Sequence, residues 1–237
     1  MSTALIDADG IAWAAAYFSV GETETQAIFK THTIVEDILT DLNTQDYILY
    51  VTGKNNFRYK VYPEYKAHRK ETPKPEFLDV CKKTLIEHWK AYESDGCEAD
   101  DLIAIDHTLR EYDSIICSVD KDFDQLPGWH YNPRQKERYL VSPNDATKFF
   151  YYQLLAGDTA DNIKGVSKIG KIKAERLLAK GTNEQEWFQL VRDAYGCDEE
   201  MEMNAKCLWL WRTENDIWKW PEWAGEKELI ELDPGKT

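Results

Sequence analysis

The chain has little of what would tie it to a membrane, an oxidising compartment or a zinc centre. No stretch of its 237 residues approaches the roughly 18–20 consecutive apolar residues that a membrane-spanning helix needs. The few residues ahead of Asp7 leave no room for a secretory leader, so a cytoplasmic location and no membrane partner are expected. The five cysteines are odd in number, widely spaced and never paired as CxxC, the pattern of reduced structural thiols. The lack of a Cys/His ligand set also excludes a typical zinc hydrolase. There is no internal repeat and no low-complexity segment, and nothing in the pattern assigns an oligomeric state.

Positive charge is also scarce. The 29 Lys/Arg face 43 Asp/Glu, for a net charge of −14. That is an unpromising balance for a nucleic-acid partner, because such proteins use Lys and Arg to displace counterions from phosphates. The shortage is uneven, however. Residues 53–90 hold ten basic against five acidic side chains, and residues 164–180 hold six against one. Two basic islands therefore stand on an acidic body, part of whose charge a bound metal would neutralise.

Hydrophobic patterning gives the fold class. Short β-branched runs at Ala4–Ile6, Tyr47–Val51 and Ile115–Val119 read as buried strands, with a weaker one at Arg138–Val141. Helical periodicity is expected over 10–19, 32–43, 75–92 and 98–112. Strands alternating with helices imply an α/β fold, a mostly parallel sheet covered on both faces. From Pro143 the pattern turns wholly helical. Six of the nine tryptophans (187, 209, 211, 218, 220 and 223) lie near the C-terminus. The expectation there is packing onto the body; a base-stacking or partner surface is the alternative. The fourteen acids of residues 184–237, against six Lys/Arg, argue against contact with a phosphate backbone.

Acids gather where strands end. Asp7 and Asp9 close the first strand, Asp120 and Asp122 follow the strand at Ile115–Val119, and Glu98, Asp100 and Asp101 open a helix. Asp158 and Asp161 lie in Gly157-Asp-Thr-Ala-Asp-Asn. In an open α/β sheet, ligands bind beyond the carboxyl ends of the strands. Crowded carboxylates repel unless a cation intervenes, and hard oxygen donors suit Mg²⁺ or Mn²⁺. Two such ions support in-line phosphoryl displacement. Each acid taken alone also reads as a helix cap or macrodipole partner, and Asp124 reads as a solvated or capping residue. Recurrence on several separate elements favours the metal reading.

Five segments together resemble the flap endonuclease/5′-3′ exonuclease superfamily, whose members include stand-alone phage 5′-nucleases and the 5′-nuclease domain of bacterial DNA polymerase I. They are Leu5-Ile-Asp-Ala-Asp-Gly, Phe57-Arg-Tyr-Lys-Val-Tyr-Pro-Glu-Tyr-Lys-Ala-His-Arg, Cys97-Glu-Ala-Asp-Asp-Leu, Ser118-Val-Asp-Lys-Asp-Phe-Asp-Gln-Leu and Leu155-Ala-Gly-Asp-Thr-Ala-Asp-Asn-Ile-Lys-Gly-Val-Ser-Lys-Ile-Gly. The resemblance implies a PIN-like nuclease core over residues 1–142, with a helical gateway at 53–90. A helical DNA-binding region over 143–237 follows, with a helix-three-turn-helix at 157–178 and an acidic, Trp-rich end. It implies one two-metal site, with Asp7, Glu98 and Asp100 favouring one Mg²⁺ and Asp120, Asp122, Asp158 and Asp161 the other. Asp101 belongs to the same ligand set, and Mn²⁺ is a substitute.

In the same picture Arg58, Lys66 and Arg69 are catalytic cations of the gateway, gripping the scissile phosphate. Tyr65 and Phe57 are candidates to stack on an unpaired base, with core packing an equal contender. Lys164, Gly165, Ser167, Lys168, Gly170, Lys171 and Lys173 would meet the duplex backbone, reading shape rather than sequence. K⁺ at the hairpin carbonyls is implied by resemblance only. The implied partners are 5′ ends, flaps and nicked or branched DNA, with RNA–DNA hybrid as an extension. No polymerase segment follows, so a stand-alone nuclease is expected, in the host cytoplasm if phage-encoded.

The sequence departs from the pattern at four places. Thr52 stands where an aspartate usually ends the second strand, and Asp9 is an extra carboxylate that is a candidate to compensate. Ala14 replaces a common arginine, while Lys164 and Lys168 replace a proline and a glycine of the hairpin. Two rival readings follow: a non-catalytic module that binds branched DNA, and a phosphatase of the haloacid-dehalogenase type built on Asp7-Ala-Asp9.

Overall fold

The computed structural model describes residues 2–224, apart from the side chains at positions 70 and 71. Residues 225–237 of the expected acidic C-terminal stretch lie outside the described residues. Six strands form one sheet: β1 (Thr3–Asp7), β2 (Tyr47–Lys54), β3 (Tyr92–Asp95), β4 (Ser114–Cys117), β5 (Gly128–Asn132) and β6 (Glu137–Val141). Their order is β3-β2-β1-β4-β5-β6; every neighbouring pair is parallel except β5 with β6.

Alternation along the central strands explains why helices cover both faces. Ala4 and Ile6 of β1, with Leu49 and Val51 of β2, enter one apolar cluster. That cluster also receives α1 (Ala8–Tyr17), α2 (Glu24–Leu42) and, beyond the short helix α3 (Arg58–Val61), α4 (Leu78–Glu87). Leu5 and Tyr50 point the other way, with Ile116 of β4, against Ala99, Ile103 and Ala104 of α5 (Ala99–Leu109). Successive residues of a strand must face opposite sides, so burial on both faces needs the continuous apolar runs seen in the sequence.

Four elements differ from the sequence expectation. β3, Tyr-Glu-Ser-Asp, is an edge strand with only Ser94 buried, and it gives no hydrophobic signal. Its residues begin inside the helix expected over 75–92, which ends at Glu87. β5 carries its burial on His130 and Tyr131, polar aromatics that do not read as a strand core. α2 starts eight residues earlier than expected because Thr23 and Gln26 form a reciprocal capping box.

The region after Pro143 is largely helical: α6 (Pro143–Ala156), α7 (Lys171–Leu178), α8 (Glu184–Tyr195) and α9 (Asp198–Leu208). It is not wholly helical, since Gly157–Asp158 and Ile163–Lys164 pair as a short antiparallel ladder. A Cβ on Gly165 would lie 2.3 Å from the Gly157 amide nitrogen, so the close approach of the two backbones requires glycine there. A second core joins these helices to Tyr65 of the basic segment. Trp187, Trp211 and Trp218 are buried, and Trp187 donates to the carbonyls of Leu178 and Gly181. They pack the C-terminal part onto the body, as the plainer expectation has it.

Candidate metal centre and nucleic-acid interface

The site grows from the point where the chain reverses its strand order. β1 lies between β2 and β4, so Asp7 at the end of β1 and Ser118–Asp122 after β4 stand on either side of the switch point. Asp7 also caps α1, accepting the Asp9 amide at 3.1 Å, while its other oxygen accepts Ser118 Oγ at 2.8 Å. Asp120 caps the next turn in the same way, accepting the Asp122 amide at 2.9 Å. The capping and metal readings are thus compatible, because each cap leaves carboxylate capacity over the strand ends.

The acids crowd one another. Burial first, then the charges of Asp9 and Asp120, push the Asp7 carboxyl up to about 6. Burial, with Asp7, Glu98 and Asp120, raises Asp100 well above the usual carboxylate range. Burial, with Asp120 and Asp158, pushes Asp122 to about 8. Asp120 thus acts on both the Asp7–Asp100 group and the Asp122–Asp158 group.

Two lysines sit among these acids. Lys66 Nζ lies 2.6 Å from Glu98 Oε1 and 3.5 Å from Asp161 Oδ1. Lys121 Nζ lies 3.2 Å from Asp158 Oδ2 and 3.7 Å from Asp122 Oδ1. Burial alone would raise Glu98, but Lys66 and Arg58 outweigh it and hold the carboxyl below its ordinary value. Arg69 donates to Asp161 at 2.9 Å and to the Ala160 carbonyl at 3.0 Å. The gateway cations Lys66 and Arg69 are therefore brought to the cluster.

Four expected site residues are placed elsewhere. Arg58 and Asp101 are buried and pair with each other, at 2.6 and 2.8 Å, so neither faces a phosphate or a metal. This corrects both assignments: the pair braces the structure. Tyr65 is buried too, its hydroxyl donating to Glu98 at 2.9 Å and Asp161 at 2.6 Å, so it offers no face to a base. Phe57 stacks on Trp211 with ring centroids 4.9 Å apart, which settles it as core.

Thr52 has a different task from the aspartate it replaces. Its Oγ1 accepts the Ala99 amide at 3.0 Å, capping the helix that carries Asp100. Asp9 does not stand free in its place: Oδ2 accepts the Thr52 amide at 2.8 Å and Oδ1 lies 2.6 Å from Lys82 Nζ. Asp124, expected as a solvated or capping residue, is half-buried instead: it accepts the Tyr139 hydroxyl at 2.9 Å, and burial first, then the charge of Asp120, raises its carboxyl.

Three residues outside the expected ligand and DNA-contact set shape the site, two of them within the motif that starts at Ser118. Ser118 fixes Asp7, Lys121 bridges Asp122 and Asp158, and Gln153 donates to Asp122 Oδ1 at 2.7 Å. The only sequence signal for Gln153 is a polar residue on an otherwise apolar face of α6.

The donor set fits hard divalent cations: oxygen ligands only, from the end of β1, the turn after β4, residues 157–161 and the α5 N-terminus, with charge in excess of the local lysines. Among the described residues no three acidic, His or Cys side chains already close on one point.

The second basic island presents Lys164, Ser167, Lys168, Lys171 and Lys173 to solvent. Gly170 precedes α7 without a side-chain cap and with open space around it, so the first amides of that helix are accessible. Gly165 serves the ladder with Gly157 instead. The carbonyls of Lys164, Val166 and Lys168 accept Asn204 Nδ2, the Ile169 amide and Lys173 Nζ. No helix among the described residues is long and apolar enough to cross a membrane.

Residues 2–145 match the family described as "5′-3′ exonuclease, N-terminal resolvase-like domain". DNA polymerase I of Lactococcus lactis is 28% identical over 179 residues, covering 65% of this chain and 20% of the relative. The chain thus spans about a fifth of the length of that curated relative. Among solved structures, T5 5′-exonuclease with divalent metal ions (zinc) superimposes with a TM-score of 0.64 at 18% identity, covering 88% of this chain and 89% of that one. The catalytic core of Rad2 in complex with a DNA substrate gives 0.53 at 13% identity, covering 91% and 78%. These likenesses show the fold, a PIN-like α/β nuclease architecture.

Proposed function

The chain belongs to the 5′-3′ exonuclease family, and on that premise we propose that it is a structure-specific 5′-nuclease. It hydrolyses DNA phosphodiester bonds at 5′ ends, flaps and nicked or branched duplexes, using two divalent ions, Mg²⁺ with Mn²⁺ as substitute. One observation supports this reading above the others. Seven carboxylates, from the end of β1, the start of α5, the turn after β4 and residues 157–161, crowd at the sheet's switch point, and Lys66 and Arg69 contact two of them, Glu98 and Asp161.

When bound, the ions supply a water nucleophile and charge stabilisation at the phosphate. Asp7, Glu98 and Asp100 would hold one of them, and Asp120, Asp122, Asp158 and Asp161 the other. Lys66 and Arg69 border the same cluster and steady negative charge on the phosphate. The second basic island, with the α7 amides, grips the duplex backbone. A K⁺ ion at the hairpin would share carbonyls that already accept protein donors. The nuclease core over 1–142 and the largely helical region that begins at Pro143 would divide these tasks. The phosphatase reading loses its support because Asp9 is held by Lys82 and Thr52.

The test is cleavage of a 5′-labelled DNA flap and of the matching RNA–DNA hybrid, with Mg²⁺ and with EDTA. Expected is Mg²⁺-dependent product, abolished in Asp122→Asn and Asp158→Asn while duplex binding persists. Tight binding by the wild-type chain without any product would instead establish a branched-DNA-binding module.

A further inference from the structure

We propose that Lys121 is a tethered counterion of the Asp122–Asp158 half of the cluster, holding these carboxylates together without metal and swinging out when a divalent cation enters. The inference rests on the metal-dependent reading above and adds a residue that competes with the metal.

The argument begins with which oxygens are spoken for. Asp158 Oδ1 accepts the amides of Ala160 and Asp161, at 2.7 and 3.3 Å. Oδ2 is therefore the oxygen left for a cation, and Lys121 Nζ lies 3.2 Å from it. The same ammonium is 3.7 Å from Asp122 Oδ1, which Gln153 also holds at 2.7 Å. An ammonium and a divalent ion cannot both occupy the space between these two carboxylates, because at such distances like charges repel strongly even in a solvated cleft.

Lys121 is also built to leave. Its side chain is 51% exposed and its contacts are long, whereas Lys66 is 14% exposed and pinned at 2.6 Å to Glu98. It sits on a short turn between Asp120 and Asp122, immediately after β4, so a rotation of its flexible stem carries the amine to solvent without moving the ligands. Occupancy by Lys121 and occupancy by metal are thereby linked with opposite sign. Whatever weakens the lysine contact tightens the metal, by the reciprocity of coupled equilibria.

This sign separates the proposal from a merely structural ion pair. A structural brace, once removed, would let the carboxylates drift apart and would weaken metal binding. The experiment is Mn²⁺ binding to the full chain by calorimetry and by electron paramagnetic resonance, in wild type, Lys121→Gln, Lys121→Met and Lys121→Arg. Both neutral variants should bind one of the ions more tightly, on the order of three- to tenfold, the size that two half-exposed ion pairs can supply. They should also melt earlier when metal-free, and the affinity gain should shrink as salt rises. Lys121→Arg, which keeps the charge, should stay near wild type. Unchanged or weaker Mn²⁺ affinity in both neutral variants would overturn the proposal while leaving the nuclease reading intact. A wild-type chain that binds no Mn²⁺ would overturn both.

Discussion

Arg58 and Asp101 lock together as a two-pronged ion pair, with Nη1 2.6 Å from Oδ2 and Nη2 2.8 Å from Oδ1, both side chains withdrawn from solvent. The pair joins the basic segment to the acidic helix α5. Arg58 also donates to the carbonyls of Cys207 and Trp209, and the Trp211 amide donates to Asp101. Three parts of the chain, distant in sequence, are therefore bolted together by one charge pair whose hydrogen-bonding capacity is well satisfied.

Breaking that pair should unfold the protein before it alters chemistry. Arg58→Ala leaves Asp101 buried without its counter-charge, a situation that typically costs about 3–5 kcal/mol. Urea unfolding should show a loss of that size for Arg58→Ala and Asp101→Ala, against a much smaller change for Asp122→Asn. If Arg58→Ala keeps wild-type stability and loses only cleavage, the phosphate-gripping role returns.

Burial, and with it acid crowding, should make the metal-free protein sensitive to rising pH. The Asp122 carboxyl stands at about 8 and that of Asp7 at about 6 in the fold, above their unfolded value of 3.8. The folded state then holds more protons than the unfolded state, so stability falls as pH rises towards the folded values. Buried His107, depressed to about 4, acts with the opposite sign: its contribution is present above 6.5 and is lost as pH falls below that value. Between about pH 6.5 and 8 only the carboxylates act, and the metal-free melting temperature should decline there. Saturating Mg²⁺ should flatten the decline, because the ions compensate the repulsion. A melting temperature that climbs over this window without metal would contradict the crowding.

The contrast between Asp100 and Asp101 shows how far the sequence could be read. The strand cores were legible, since residues such as Leu5 and Tyr50 alternate with neighbours that enter the opposite apolar layer. The acids at strand ends were legible as a group for the same topological reason. Which of two adjacent aspartates joins the crowded acids and which is drawn into a buried ion pair was not, because the answer depends on Arg58, 43 positions away from Asp101 in the chain. Nor could the sequence choose between base stacking and core packing for Tyr65: its ring enters the second core and its hydroxyl bridges Glu98 and Asp161, contacts that no local pattern encodes. β3 escaped because an edge strand with a single buried serine carries no hydrophobic period.

Restoring the aspartate that the resemblance leads one to expect should strengthen the first ion site. Thr52 Oγ1 now accepts the Ala99 amide, and an aspartate can keep that cap while adding a carboxylate near Asp100. Thr52→Asp should bind Mn²⁺ more tightly and reach full turnover at lower Mg²⁺, yet melt earlier without metal because another negative charge joins the cluster. Titration calorimetry and metal-free melts check the two signs together. Unchanged metal affinity would mean that position 52 does not face the ion.

Lys168 stands in the left-handed region, at φ +65°, where the resembled family usually has glycine. A residue with a Cβ pays roughly 1–2 kcal/mol to sit there. Lys168→Gly removes that strain but frees the unfolded chain, which offsets about 0.4–1 kcal/mol. The net expectation is a gain of roughly 0.5–1 kcal/mol in urea unfolding, the difference between those two ranges. The hydrogen bond from Lys173 Nζ goes to the Lys168 carbonyl and survives the change. If the strained lysine is kept for its charge, the same variant should bind duplex DNA more weakly and lose about 0.9 from the slope of log affinity against log salt. Stabilisation with an unchanged slope would show that Lys168 touches no phosphate. Destabilisation would show that its side chain supports the turn in a way that outweighs the backbone strain.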